Sequence, residues 1–332
     1  MNKVAFVGAG RWALALALRL DEQGTETALW EPVEPHLHRL LATRRHPDLP
    51  DTAVIPNHLL VSGDLDQVLT GARFVIFAVP SESLAAVART CAHGVPATAE
   101  VIITVTKGID PGTHQRLSTI LAEILPARPV VVLAGPAIPY DFALGDPTSL
   151  VAASEHESAA QTVRDFLTAG NLRVYSSSDV VGVELGAALK NVIALAAGIS
   201  DGLGLGINAK AALLTRGLAE MTRLGIALNA NPLTFAGLAG MGDLVVTAFS
   251  ERSRNHALGR LIGQGRTLEQ ARTTLSGVAE GAATCRTALA LSRRFHVEMP
   301  ITEEVCRILY ESSSPEHGLK RLLRRTPKKE EN

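Results

Sequence analysis

The sequence predicts an α/β chain, with a doubly wound parallel sheet over residues 1–178 and an all-helical domain over residues 179–332. Three observations support this. A glycine turn joins the first β-rich run to a helical one, apolar β runs recur through the first half, and β patterning stops after Ser178.

Lys3 to Val7 is a short β-rich run, followed at once by Gly8-Ala9-Gly10-Arg11-Trp12-Ala13 and then by the alanine- and leucine-rich segment Leu14 to Leu20. Strand, glycine turn and helix in that order match GxGxxG/A, the dinucleotide-binding turn of a Rossmann-type domain. Gly8 permits the tight turn, Gly10 lets a pyrophosphate approach the backbone, and small Ala13 lets helix and strand pack closely. The amides that open the helix then face the anion.

The second strand, Thr25 to Trp30, ends in Glu31, about twenty residues beyond the glycines, where a carboxylate accepts hydrogen bonds from an adenosine ribose. Its charge repels the 2′-phosphate of NADP, so NAD(H) is the favoured cofactor. NADP(H) is the alternative, through Arg44 or Arg45 downstream, and Glu31 also reads as a solvated loop carboxylate.

Phe74 to Val79, Val101 to Val105 and Val130 to Leu133 read as buried strands of the sheet. They lead into Pro80-Ser81, Lys107-Gly108 and Gly135-Pro136, and ligands of open α/β sheets lie outside the carboxyl ends of the strands. These loops and the glycine turn therefore share one rim. Lys107 there can meet a carboxylate, a phosphate or a nicotinamide-side oxygen, or simply be solvated, while Ser81 suits a helix cap equally well. Thr148 to Ala152 and Leu172 to Tyr175 read as late strands flanking a helix over Glu157 to Ala169.

In the helical half, Glu184 to Asp201 is a long apolar run with one cation, Lys190, beside Asn191. Burial there lowers a lysine pKa and makes its proton available for chemistry; the alternative is a stem that snorkels to water. Gly202 to Gly206 lacks a following Gly-Lys-Ser/Thr and suits close backbone packing rather than phosphate. Arg216 and Glu220, one turn apart on the next helix, read as an intrahelical pair.

Further on, Gly240-Met241-Gly242-Asp243-Leu244 sets an aspartate among glycines, and Ser253-Arg254-Asn255 opens a helix. That second triplet suits an anion, since Ser253 can cap, the first amides are positive and Arg254 can grip two oxygens; plain capping with a surface arginine is the alternative. Glu280, in Val278-Ala279-Glu280-Gly281, reads by composition as a turn or helix-start carboxylate. The basic tail Leu319 to Lys329 reads as a solvated amphipathic end.

Composition narrows the partners. A net charge of −1 over 332 residues supplies no broad footprint for nucleic acid or an anionic membrane, so a small molecule is expected. The three cysteines, Cys91, Cys285 and Cys306, have no CxxC pairing, which indicates neither a disulfide framework nor a metal site and fits a reducing cytoplasm. No secretory leader or membrane-spanning apolar run is expected.

As an ordered set, GAGRWALALA, AVPSESL, TKGID, AGPAIPYDFALGDPT, ELGAALKNVIALAAGISDGLGLG, NAKAALLTRGLAEMTRLG, GLAGMGDLVVT, SERSRN and VEMPITEEV resemble the bacterial NAD(P)-dependent glycerol-3-phosphate dehydrogenases. The resemblance covers nearly the whole chain and is densest from Glu184 to Asn255. It implies a homodimer that interconverts dihydroxyacetone phosphate and glycerol 3-phosphate, the latter for phospholipid synthesis.

The same resemblance implies that Lys190 is the proton donor or acceptor and that Asp243 orients it and binds substrate hydroxyls. Lys107, Gly135, Ala137, Ser253, Arg254 and Asn255 would surround the substrate. Arg11, Trp12, Lys107, Pro139, Arg254, Val278 and Glu280 would line the nucleotide site.

Several positions depart from the family pattern. Arg11 stands where a serine is common and Glu31 where a glycine is. In GPAIPYD, Ala137 replaces a hydroxyl residue, Pro139 an alanine and Asp141 a glutamate, and His256-Ala257 replaces more basic residues. Ala137 leaves open a reductase of the same fold acting on another small keto-acid or phosphorylated ketone. A nucleotide-binding redox sensor is the reading from a different class.

Overall fold

The computed structural model describes residues 3–275, 277–327 and 329. Eight strands form one sheet: β1 (Lys3–Val7), β2 (Glu26–Trp30), β3 (Leu60–Ser62), β4 (Phe74–Phe77), β5 (Val101–Thr104), β6 (Val130–Ala134), β7 (Thr148–Ala153) and β8 (Leu172–Ser177), in the order β3-β2-β1-β4-β5-β6-β7-β8. The helices between them are α1 (Arg11–Glu22), α2 (Glu34–Thr43), α3 (Leu65–Leu69), α4 (Ser81–Cys91), α5 (Leu117–Ile124), α6 (Pro139–Leu144) and α7 (Glu157–Leu167).

The doubly wound order reverses at β1, between β2 and β4, which is where such sheets open a crevice. Strands β1, β4 and β5 are buried at every residue, as expected for Val-, Ile- and Phe-rich segments covered on both faces. Helix α1 buries Ala13 to Ala17 and Leu20 against them.

The sheet departs from the all-parallel expectation at one junction. β7 runs antiparallel to β6, and β8 is again parallel to β7. The connection after β6 consists of the Gly135 turn and the six-residue α6, which packs on α1, and no long crossover helix carries the chain back over the sheet. β3 escaped the sequence pattern because three residues are too few to show a period.

The second half is helical: α8 (Val180–Gly202), α9 (Ile207–Ala227), α10 (Pro232–Ala236), a π-helical turn (Leu238–Gly242), α11 (Asp243–Phe249), α12 (Arg254–Gly263), α13 (Leu268–Thr274), α14 (Gly281–Arg294), α15 (Pro300–Tyr310) and α16 (Pro315–Leu323). Helix α8 is the axis. It is long and apolar enough to cross a membrane, yet 94% of its apolar window is buried inside the fold.

Helix α12 lies on α8 at backbone contact. A Cβ on Gly198 would strike the His256 carbonyl oxygen, and one on Gly259 the Leu195 carbonyl oxygen. Gly202 meets Gly263 in the same way, so the glycine cluster that follows α8 begins with a packing residue. A Cβ on Gly186 would likewise meet the Ala239 carbonyl oxygen, which brings the π turn onto α8 one turn before Lys190.

Two expectations for the helical half need correction. Glu220 does not pair with Arg216. Its buried carboxylate accepts from the Ile301 and Thr302 amides (2.6 and 3.2 Å) and the Thr302 hydroxyl, capping α15, because those unpaired amides are the stronger partners in a dry site. The basic tail is only partly solvated: Arg321 donates to Glu304 at 2.6 Å and Arg325 to Glu298 at 3.0 Å, whereas Leu323 is exposed. Lys328 of that tail lies outside the described residues.

Gly259→Ala should lower unfolding free energy by at least about 1–3 kcal/mol, since carbonyl backbone cannot move aside as a side chain does. Gly206→Ala, where the added methyl meets open space, should cost under about 1 kcal/mol. Denaturant melts of the two variants check this.

Candidate active site

The carboxyl ends of β1, β2, β4, β5 and β6 face α8, the α11–α12 turn and residues 277–280 across a cleft of about 610 Å³. Gly10, Arg11, Trp12, Ala13, Glu31, Lys107, Gly135, Ala137, Pro139, Lys190, Asn191, Ser253, Arg254, Asn255, Val278 and Glu280 all line it. Two candidates do not: Gly8 and Asp243 lie behind its wall.

Gly8 shapes the rim from behind. It holds φ +108°, and a Cβ there would collide with the Ala78 carbonyl oxygen, so the turn passes close to the end of β4 only with glycine. Gly10 has open space where a side chain would stand, and no side chain caps the first amides of α1. Trp12 is steadied by Phe142, with ring centroids 5.3 Å apart.

At the end of β2, Glu31 is buried and its carboxylate accepts from the Val33 amide at 3.0 Å. Burial raises its pKa, against the pull of that hydrogen bond and of His36 and Arg39. Arg44, expected as an alternative phosphate ligand, is committed elsewhere. It ends α2 in the left-handed region and donates to the carbonyls of Ile55, Pro56 and Leu59. Arg45 lies 3.6 Å from Asp51 on the surface.

His36, Arg39 and His46 line this end of the cleft instead. Burial takes the His46 pKa down to about 4, leaving it neutral at pH 7. The sequence carried no signal for these three, which sit on an ordinary-looking helix and loop.

At the centre, one carboxylate holds two ammonium groups. Asp243 Oδ1 lies 3.0 Å from Lys190 Nζ, and Oδ2 accepts from Lys107 Nζ at 2.6 Å. Lys190 also donates to Thr247 Oγ1 at 2.6 Å, while Thr247 donates to the Asp243 carbonyl at 2.6 Å, and Lys107 donates to the Gly135 carbonyl at 3.0 Å. Lys190 therefore does not snorkel; it is 5% exposed and points into the cleft floor.

Burial brings the Lys190 pKa from 10.5 to about 8, helped by the charge of Lys107 and opposed by Asp243. Asp243 is 1% exposed and holds both lysines, directly beneath the floor that Lys107 and Lys190 form. Thr247 was missed in the sequence because an i+4 threonine on a short helix is unremarkable until the fold brings Lys190 to it.

Around α12, Ser253 caps the helix by accepting from the His256 amide at 3.2 Å. Asn255 donates to Asn191 Oδ1 and accepts from the Gly281 amide, both at 2.9 Å, which locks α8, α12 and α14 together beside Lys190. Burial depresses the pKa of both Arg254 and Arg11, Arg11 to about 10 with the charge of Arg254 contributing and Asp48 opposing, so the cleft holds two neighbouring cations beside the Asp48 carboxylate.

Glu280, read from composition as a turn carboxylate, starts α14 inside the cleft and accepts from the Ser81 amide at 3.1 Å; burial lifts it to about 7. Ala137 and Pro139 present only carbon side chains there.

Residues 3–160 match the N-terminal and residues 179–320 the C-terminal domain profile of NAD-dependent glycerol-3-phosphate dehydrogenase. The chain is 44% identical over 335 residues to the glycerol-3-phosphate dehydrogenase [NAD(P)+] of Desulfitobacterium hafniense, covering 99% of this chain and 93% of that protein. It is 41% identical to the Clostridium perfringens protein of the same name, with 100% of both covered. The crystal structure of glycerol-3-phosphate dehydrogenase from Coxiella burnetii superposes with a TM-score of 0.93 at 35% identity, covering 98% of this chain and 99% of that one. Identity at this level along the full length, with a nucleotide-type rim facing a buried lysine, shows that the chain belongs to the NAD-dependent glycerol-3-phosphate dehydrogenase family.

Proposed function

We propose that the chain catalyses reversible hydride transfer between a nicotinamide nucleotide and the central carbon of dihydroxyacetone phosphate or glycerol 3-phosphate. Lys190 is the general acid and base. The observation that carries this is the buried Lys190 ammonium, held by Asp243 and Thr247 on the floor of a cleft whose rim is the glycine turn. The names of the full-length relatives supply the substrate.

The rim fits a dinucleotide. The side-chain-free space at Gly10 and the uncapped amides of α1 form a cradle that a pyrophosphate fills. A bound nicotinamide supplies the hydride.

The chain's own groups do the rest. In the reducing direction, Lys190 gives its proton to the oxygen on the central carbon; in the oxidising direction, neutral Lys190 takes the alcohol proton. Asp243 keeps Lys190 aimed and offsets the charge it shares a site with, Lys107. Ser253, Arg254 and the first amides of α12 hold the substrate phosphate, with Lys107, Gly135, Ala137 and Asn255 around the carbon chain. Where the family has a hydroxyl, Ala137 forgoes one neutral hydrogen bond, on the order of 0.5–1.5 kcal/mol.

NAD(H) is the favoured cofactor. Glu31 lines the cleft at the end of β2, and neither Arg44 nor neutral His46 offers a charge to a 2′-phosphate. Arg39 and His36 at the same rim set the margin of that preference. Three unpaired thiols fit a cytoplasmic setting, and the homodimer rests on the family resemblance.

Lys190→Ala should lower turnover about 10²- to 10⁴-fold, with NADH affinity unchanged by fluorescence titration. Because Lys190 must be protonated to reduce and neutral to oxidise, kcat/KM for dihydroxyacetone phosphate should fall as pH rises through about 8, and that for glycerol 3-phosphate should rise. A flat profile across that range would remove Lys190 from the proton transfer. Wild-type kcat/KM should be higher with NADH than with NADPH, and Arg39→Ala should widen the ratio; equal or better efficiency with NADPH counts against the role given to Glu31.

A further inference from the structure

One cleft residue, Arg252, reaches across to the nucleotide-binding domain in a contact that the reaction leaves unused. Arg252, in the α11–α12 turn, lays its guanidinium carbon 3.4 Å from the ring centroid of Tyr140 and lies 3.6 Å from the Asp141 carboxylate, both on α6 of the nucleotide-binding domain. Arg252 also lines the cleft and immediately precedes Ser253, the cap of α12.

α6 is a firm anchor for this contact. Its Phe142 is fully buried against Trp12, and Arg19 donates to the Phe142 and Ala143 carbonyls, while Tyr140 and Asp141 meet Arg252 of the helical domain. Other polar links between the domains are less exposed: Lys107 with Asp243, the Ser81 amide with Glu280, and Ser118 and Arg116 with Glu184. The Arg252–Asp141 pair is different, at 49% and 41% side-chain exposure, and so is weak enough to open and reform.

We propose that Arg252, Tyr140 and Asp141 form a clasp that sets the distance between the Gly135–Pro139 loop and the start of α12. Arg252 is a positioning residue: it acts through Ser253 and Arg254, keeping them facing the loop across the substrate phosphate. A flat guanidinium stacked on an aromatic ring holds this spacing better than an exposed ion pair does alone, because the stack fixes a plane and survives salt. The inference rests on the phosphate role given above to Ser253 and Arg254.

The test compares wild type, Arg252→Ala, Tyr140→Leu, the double variant and Arg254→Ala. The readouts are KM for dihydroxyacetone phosphate at saturating NADH, and amide hydrogen exchange in residues 135–144 and 250–256. The clasp requires that Arg252→Ala and Tyr140→Leu each raise KM about three- to tenfold with little change in kcat, and that the double variant be no worse than either single one. It also requires faster exchange in both segments of Arg252→Ala.

Where Arg254→Ala raises KM, a raised KM in Arg252→Ala with none in Tyr140→Leu would make Arg252 a direct ligand and overturn the clasp, as would additive effects or unchanged KM in both. If Arg254→Ala leaves KM unchanged, the phosphate reading fails by itself. The exchange data then decide the clasp, with unchanged exchange overturning it and coupled loosening of both segments supporting it.

Discussion

The Asp243 carboxylate, shared by Lys107 and Lys190, is the interaction on which the site depends. Lys107 follows β5 of the sheet and Lys190 sits in the middle of α8, so one buried anion ties the two domains together at the point where chemistry is proposed. Two ammonium groups this close would repel and resist burial without it. With it, Lys190 stays buried but ends with its pKa near 8, close enough to neutrality to give and take a proton. The second lysine sharpens that effect, because its charge pushes the Lys190 pKa the same way as desolvation does.

Much of the helical domain serves to bring groups against this carboxylate. Gly186 lets the π-helical turn lie on α8, and Gly240 tightens that turn against Phe235, which delivers Asp243 beneath Lys190. Gly198 and Gly259 let α12 touch α8 backbone to backbone, which sets Ser253, Arg254 and Asn255 beside Asn191. The glycines of α8 and α12 are thus close-packing devices, while Gly8 and Gly135 on the nucleotide side hold turns at positive φ. Asn255 completes the arrangement by bonding both Asn191 and the start of α14, which carries Glu280 into the cleft.

The fold was largely legible because its signals are local. Strand runs such as Phe74–Phe77 and Val101–Thr104 have no polar face, and the glycine turn has a fixed spacing, so both show in a short window. The reversal of β7 was not legible: direction depends on where the chain goes after β6, and nothing in Thr148–Ala153 itself encodes it. Site residues with unusual company, such as Lys190 in an apolar helix, stood out. Thr247, His36, Arg39 and Arg252 did not, because each is ordinary for its element: Thr247 and Arg252 gain meaning only from partners far away in the chain, and His36 and Arg39 only from the cleft they line. Glu220 shows the opposite error, where a neighbour one turn away looked sufficient and a distant pair of helix amides took the carboxylate instead.

By itself the sequence determined which segments are strands and helices, where the nucleotide turn lies, and that a lone lysine sits in a buried helix, since those follow from periodicity, composition and spacing. Only the tertiary structure decided what that lysine meets. It placed Asp243 between two lysines, turned Arg44 away to backbone carbonyls, and set Arg252 on Tyr140. The physical reason is that burial and charge pairing act between atoms brought together by packing, and packing distances are not written in any one stretch of chain.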